Sequence, residues 1–196
     1  MRRLAIWLCV LMLVPFARAD DAKGVMVYGK ADGNAPGWAI TTDSLPGWTQ
    51  DCCKYADAIG VNLVLYQGDW TGKPDRVIVL NVWPAKLPSL DAELQADRTH
   101  YLQVDPTGKV TAFPVADPKA IECRGVLYQG TDHVDDVVVF CSPGKASGIR
   151  YSWSMTIAAA DPQRQSMLDA FKHVVEHSSY MKYVAGPGST DKAAAH

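Results

Sequence analysis

Apolar residues recur along this chain with two periods. Residues 25–28 form a short apolar run between glycines, and Trp38-Ala39-Ile40-Thr41-Thr42 forms a second; both predict strands. Ser44-Leu45-Pro46-Gly47 then breaks the chain. Trp48, Cys52, Tyr55 and Ile59 follow at helical spacing with Gly60 as a stop, which predicts a short amphipathic helix over 48–59. Adjacent residues of a helix point about 100° apart, so Cys52 and Cys53 would face different partners from it.

Two similar units come next. VNLVLYQG, DWTGKP and DRVIVLNVWP are echoed by RGVLYQG, TDHV and DDVVVFCSP, so the pentapeptide VLYQG occurs at 64–68 and again at 126–130. A β-rich run, a polar connection and a second apolar run make the pattern of an antiparallel hairpin. Within each copy Leu65 and Leu127 should face one side, and Tyr66 and Tyr128 the other. The runs 77–80 and 137–140 do not alternate, which predicts strands covered on both faces. Ile149, Tyr151, Trp153, Met155 and Ile157 alternate with Arg150, Ser152, Ser154 and Thr156, which predicts a strand with one wet face. Between the hairpins, Ser89 caps a helix to Tyr101 whose first turn carries Asp91 and Glu93 and whose buried side is Leu90, Leu94 and Tyr101. Residues 110–113 read as a short strand. Asp161 and Pro162 open a last helix with an apolar stripe of Met167, Leu168, Phe171, Val174 and Val175. These elements predict an α+β fold: a mostly antiparallel β-sheet packed between amphipathic helices as an α/β/α sandwich.

The first residues, MRRLAIWLCVLMLVPFARA, change the picture of where this domain works. A basic pair, a 13-residue apolar stretch and Ala17-Arg18-Ala19 read as a signal peptide over 1–19 with Asp20 as the first mature residue. The stretch is shorter than the ~20 residues a bilayer span needs, so no stable membrane anchor is expected. Residues 20–184 read as one domain and 185–196 as a disordered tail. Loss of Arg2, Arg3 and Arg18 leaves 16 basic against 21 acidic residues, a net charge of −5. A mildly acidic domain without a basic stripe is not a nucleic-acid binder.

Export places Cys52, Cys53, Cys123 and Cys141 where disulfides persist. Four cysteines allow three pairings. The second hairpin brings Cys123 and Cys141 close together, where they would bridge each other or both face the Cys52-Cys53 helix. The second arrangement is expected, because the first leaves a vicinal pair.

Candidate chemistry is sparse. His173-Val174-Val175-Glu176-His177 matches the H-x-x-E-H pattern of inverted zinc peptidases. The helix's apolar stripe points the other way, and no Asp or Glu lies between the motif and Asp191, so His173, Glu176 and His177 are expected on a wet face without a metal. Asp132, His133, Asp135 and Asp136 crowd the second hairpin's turn, where several oxygens suit a divalent cation or simple solvation. Asp69 and Trp70 occupy the same place in the first hairpin. If the two turns share a rim, these six residues form a candidate binding surface for a partner or sugar, although a buried Trp70 is the expected state. No nucleophile elbow, phosphate-binding loop or dinucleotide motif is present, no cofactor is expected, and no catalytic residue stands out among the three glutamates, Glu93, Glu122 and Glu176.

Trp38-Ala39-Ile40 followed by Leu45-Pro46-Gly47-Trp48 resembles the opening of PsbP/Mog1/DcrB-like domains, and the final strand and helix resemble their ending. That resemblance implies a sheet closed by a C-terminal helix, no shared catalytic site, and an accessory or binding role outside the cytoplasm. The expected function is therefore an exported, periplasmic or secreted, non-catalytic accessory protein for a protein or small ligand. A periplasmic hydrolase or metal-dependent enzyme and an inhibitor or immunity-type protein are the alternatives.

Overall fold

The computed structural model describes residues 24–33, 35–70, 74, 76–116 and 121–184. The leader over 1–19 and the tail over 185–196 lie outside the described residues. Among the described residues ten strands form two antiparallel sheets. The larger contains β3 (Thr49–Asp51), β4 (Leu63–Tyr66), β5 (Val77–Pro84), β6 (Lys109–Phe113), β7 (Glu122–Gln129), β8 (Val134–Ser142) and β9 (Ile149–Ala158), in the order β3-β4-β5-β9-β8-β7-β6. The smaller contains β1 (Gly24–Gly29), β2 (Trp38–Asp43) and β10 (Ser179–Lys182), in the order β1-β2-β10. Helix α1 (Tyr55–Ala58) is a single turn, α2 is Leu90–Val104 and α3 is Arg164–Glu176.

The α+β architecture matches the sequence pattern, and both hairpins form, β4 with β5 and β7 with β8. Strand β9 lies between them and pairs with β5 and β8. Met155 is flanked by Ile78 on one side and Val137 on the other; Ile78 faces Leu65, and Val137 faces Leu127. The two VLYQG copies thus hold matching positions on either side of β9. Their leucines point to the face covered by α3, where Leu65, Ile78, Met155 and Val137 join Met167, Phe171, Val174 and Val175 in one core. That core continues into the small sheet through Val25, Val27, Trp38 and Ile40. On the other face, Val64 and Tyr66 pack on Ala56 of α1, and α2 lies against β8.

Several expectations change. Residues 48–59 are not one helix. Leu45–Trp48 is a turn closed by a hydrogen bond from Trp48 N–H to Leu45 O at 3.1 Å, with Gly47 at φ +76°, where only glycine sits without strain. Thr49–Asp51 then pairs with β4. Asp51 Oδ1 collects the backbone N–H groups of Cys53, Lys54, Tyr55 and Ala56 at 2.6–3.2 Å, which delays helix entry to Tyr55. Desolvation opposes its ionisation, yet these four donors hold the Asp51 carboxyl below its usual range. The expected wet face of β9 is exposed at Thr156 and Ala158 and half-buried at Ser154, whereas Arg150 and Ser152 are buried. Strand β10 adds an element with no forecast. Helix α3 begins later than Asp161, which instead accepts from Gln163 N–H at 2.7 Å in the preceding turn.

The cysteine pairing is also corrected. Cys52 bonds Cys53, and Cys123 bonds Cys141. The reason is register: Cys123 and Cys141 are direct cross-strand partners, with Cα atoms 4.2 Å apart, within reach of a bridge. Both are buried in the main core, whereas Cys52 and Cys53 are exposed.

Candidate functional site

Strands β5 and β8 run parallel to each other with β9 between them, so both hairpin turns emerge at one end of the sheet, beside the C-terminal end of β9 and the start of α3. Two open clefts of about 700 and 640 Å³ flank this rim and meet at Thr156.

The larger cleft is lined by Ile59, Trp70, Arg76, Val77, Ala158 and Asp161 among others. Trp70 is half-buried: its ring stacks on Tyr55 with centroids 4.7 Å apart and meets Tyr66 edge-on at 5.1 Å. Arg76 pairs with Asp161 at 3.2 Å across the cleft. The Gln163 N–H first, and then Arg76, hold the Asp161 carboxyl below its usual range.

The second cleft lies between α2 and the β7–β8 hairpin. Asp97, His100, Tyr101 and Asp105 line it from α2 and its C-cap, and Tyr128, Asp132 and Asp136 from the hairpin. Tyr128 donates a hydrogen bond to Asp97. Asp105 accepts from Thr131 N–H at 2.8 Å and its hydroxyl at 3.0 Å, which ties the end of α2 to the hairpin tip and lowers the Asp105 pKa. Asp132 Oδ1 accepts from Val134 N–H at 3.0 Å, closing the turn, and Asp136 Oδ1 accepts from Thr156 Oγ1 at 2.7 Å. The combined field is negative: burial first, then Asp105, Asp136, Asp132 and Asp135, push the Tyr101 phenol above its usual pKa.

The six rim residues forecast from sequence therefore divide. Trp70 lines the larger cleft and Asp132 and Asp136 the acidic one. Asp69 and His133 are exposed, His133 at φ +64° in the turn. Asp135 does not belong to the rim surface. Strand alternation turns it to the α3 face, where it is buried and binds Arg164 Nη2 at 2.6 Å. The cluster thus does not converge on one cation. Sequence reasoning missed the α2 wall, although Asp97, His100 and Tyr101 fall at i, i+3 and i+4 on one helix face.

His173, Glu176 and His177 end α3. The two histidine rings stack with centroids 4.0 Å apart, and His173 Nε2 lies 3.3 Å from Asp43 Oδ2 at the end of β2. Glu176 is exposed and stands outside this group.

No protein-family model matches the chain, and no curated protein matches it. The chain is similar to the solution structure of cyanobacterial PsbP (CyanoP) from Synechocystis sp. PCC 6803. The TM-score is 0.49 at 12% identity, over 87% of this chain and 99% of that one. Among the described residues no helix is long and apolar enough to cross a membrane.

Proposed function

We propose that this protein is an extracytoplasmic accessory factor that binds a partner at the sheet rim and performs no covalent chemistry. One observation carries the reading: the fold gathers an aromatic cleft and an acidic cleft at a single sheet end, joined at Thr156. A half-exposed Trp70 supplies apolar contact area. Asp97, Asp105, Asp132 and Asp136 favour a partner that presents cationic groups. The two cysteine pairs at bonding distance and the leader-like N-terminus support export to an oxidising compartment.

The test combines two measurements. N-terminal sequencing of the secreted or periplasmic product should begin at Asp20. Purified wild-type protein should retain a partner from extracytoplasmic extract that Trp70→Ala and Asp132→Lys lose and the remote Asp169→Lys keeps. Equal capture by all four proteins, or a chain held in the cytoplasm with its leader intact, would refute the proposal.

A further inference from the structure

His173, His177 and Asp43 offer three ligand atoms that all lie within 4.8 Å of one another, at the junction of α3 with the small sheet. From these we infer that the protein carries a transition-metal site, of the zinc(II) class, built by His173, His177 and Asp43.

Three features make this a prepared site. First, the two histidines are spaced i, i+4, so one turn of α3 stacks them on one face. Second, the tautomer of His177 is set. Its Nδ1 lies 2.9 Å from the His173 carbonyl oxygen. A carbonyl only accepts, so Nδ1 carries the proton in the neutral ring and the Nε2 lone pair is left for a metal. Third, the strand end that carries Asp43 is anchored. Thr42, next to Asp43, donates from its buried hydroxyl to Val174 O at 2.6 Å, which pins the end of β2 against the helix turn that bears His173.

The spacing suits the ion. Zinc with bonds of about 2.0–2.1 Å and tetrahedral angles places its ligand atoms about 3.3 Å apart, and His173 Nε2 stands 3.3 Å from Asp43 Oδ2. A metal in that gap would take the Nε2 lone pair of the neutral His173 tautomer that carries its proton on Nδ1. Both histidines are at least partly exposed, so modest side-chain rotation brings the third ligand in. Two imidazoles and one carboxylate favour zinc, copper or nickel over calcium and magnesium, which take oxygen ligands. Three protein ligands leave a coordination position open to water. Glu176 is not part of the set, so the site does not reproduce the peptidase pattern H-x-x-E-H. Its structural consequence is a clamp: the ion would link α3 to β2, two elements far apart in sequence.

The experiment is calorimetric titration of the full mature chain, without an affinity tag, with zinc(II) alone after chelator treatment. One equivalent should bind. His173→Ala and His177→Ala should each weaken binding by more than about tenfold, the scale that even supporting residues of metal sites reach. Asp43→Asn, nearly isosteric, should weaken it as well. Zinc should raise the thermal unfolding midpoint of the wild type, and Asp43→Asn should lose that rise while keeping the metal-free midpoint. Circular dichroism confirms that each variant is folded. Binding untouched by His177→Ala, or an Asp43→Asn variant with full affinity and the full midpoint rise, would overturn the assignment. So would the absence of a one-to-one isotherm.

Discussion

The two cysteine pairs predict opposite outcomes on removal, and the contrast tests the pairing directly. Cys123 and Cys141 are 18 residues apart in sequence. In the chain-entropy account, closing a loop of that length restricts the unfolded chain by about 3 kcal/mol at 25 °C. Both sulfurs are buried in the core, so replacement by alanine adds about 1 kcal/mol for lost packing. The Cys123→Ala/Cys141→Ala protein should therefore be about 4 kcal/mol less stable than the oxidised wild type. Cys52 and Cys53 are neighbours with exposed side chains. Their bond encloses no chain to restrict, and the Cys52→Ala/Cys53→Ala protein should lose less than about 1 kcal/mol.

Guanidinium unfolding under non-reducing conditions reads both values. The variant without the Cys123–Cys141 bridge should also show a steeper denaturant slope, because its unlinked unfolded state exposes more surface. Crossed bridges, from Cys52 and Cys53 to Cys123 and Cys141, would close loops of about 70–90 residues, and the Cys52→Ala/Cys53→Ala protein would then lose both at once. A Cys52→Ala/Cys53→Ala protein that is as unstable as the other variant would refute the pairing and the register argument behind it.

Two further outcomes follow from buried groups. Arg164→Met leaves the buried Asp135 carboxylate without its 2.6 Å partner, so urea unfolding at neutral pH should show a loss of about 3 kcal/mol or more; adding Asp135→Asn should recover part of it. Burial pushes the Tyr151 phenol up to about 12 and also raises Tyr128, where the Asp97 hydrogen bond adds to the effect. A raised folded-state pKa favours the neutral form, so this stability is complete below the unfolded value of about 10 and is lost as pH rises toward 12. Denaturation across that window should show a decline that Tyr151→Phe flattens, and a flat wild-type profile would count against the burial argument.

Both hairpins were legible because their information is local: an apolar run, a polar turn and a second apolar run specify the pairing without reference to the rest of the chain. Helix α2 was legible for the same reason, with Ser89 accepting from Ala92 N–H at 3.2 Å as a capping residue should. Residues 48–59 misled because Trp48, Cys52, Tyr55 and Ile59 fit a helical stripe, while the deciding partner of Thr49–Asp51 is β4, beyond the intervening turn. The cysteine pairing failed at the step after the hairpin. The turn position was right, but the preference for avoiding a vicinal bond outweighed the cross-strand register, which by itself puts Cys123 opposite Cys141. For the candidate sites, the rim was half legible. Hairpin turns announce themselves, but Asp135 differs from Asp136 only in which face of β8 it occupies. Asp43 could not be joined to His173 from sequence, since only the packing of α3 on β2 brings them together.

The repeated VLYQG explains why the two hairpins match on one face of the sheet and differ on the other. Both copies place leucine toward α3, and that face is committed to the core on either side of β9. The outer face carries no such shared demand. Tyr66 is enclosed by Tyr55 and Trp70, while Tyr128 turns its hydroxyl to Asp97 beneath α2. The same residue type thus supports an aromatic cluster in one half and an acidic wall in the other. The matching inner face fixes the two turns at one level, and the different outer covers give each turn its own cleft. A charge change within the acidic wall therefore leaves untouched the leucine row that holds the sheet to α3.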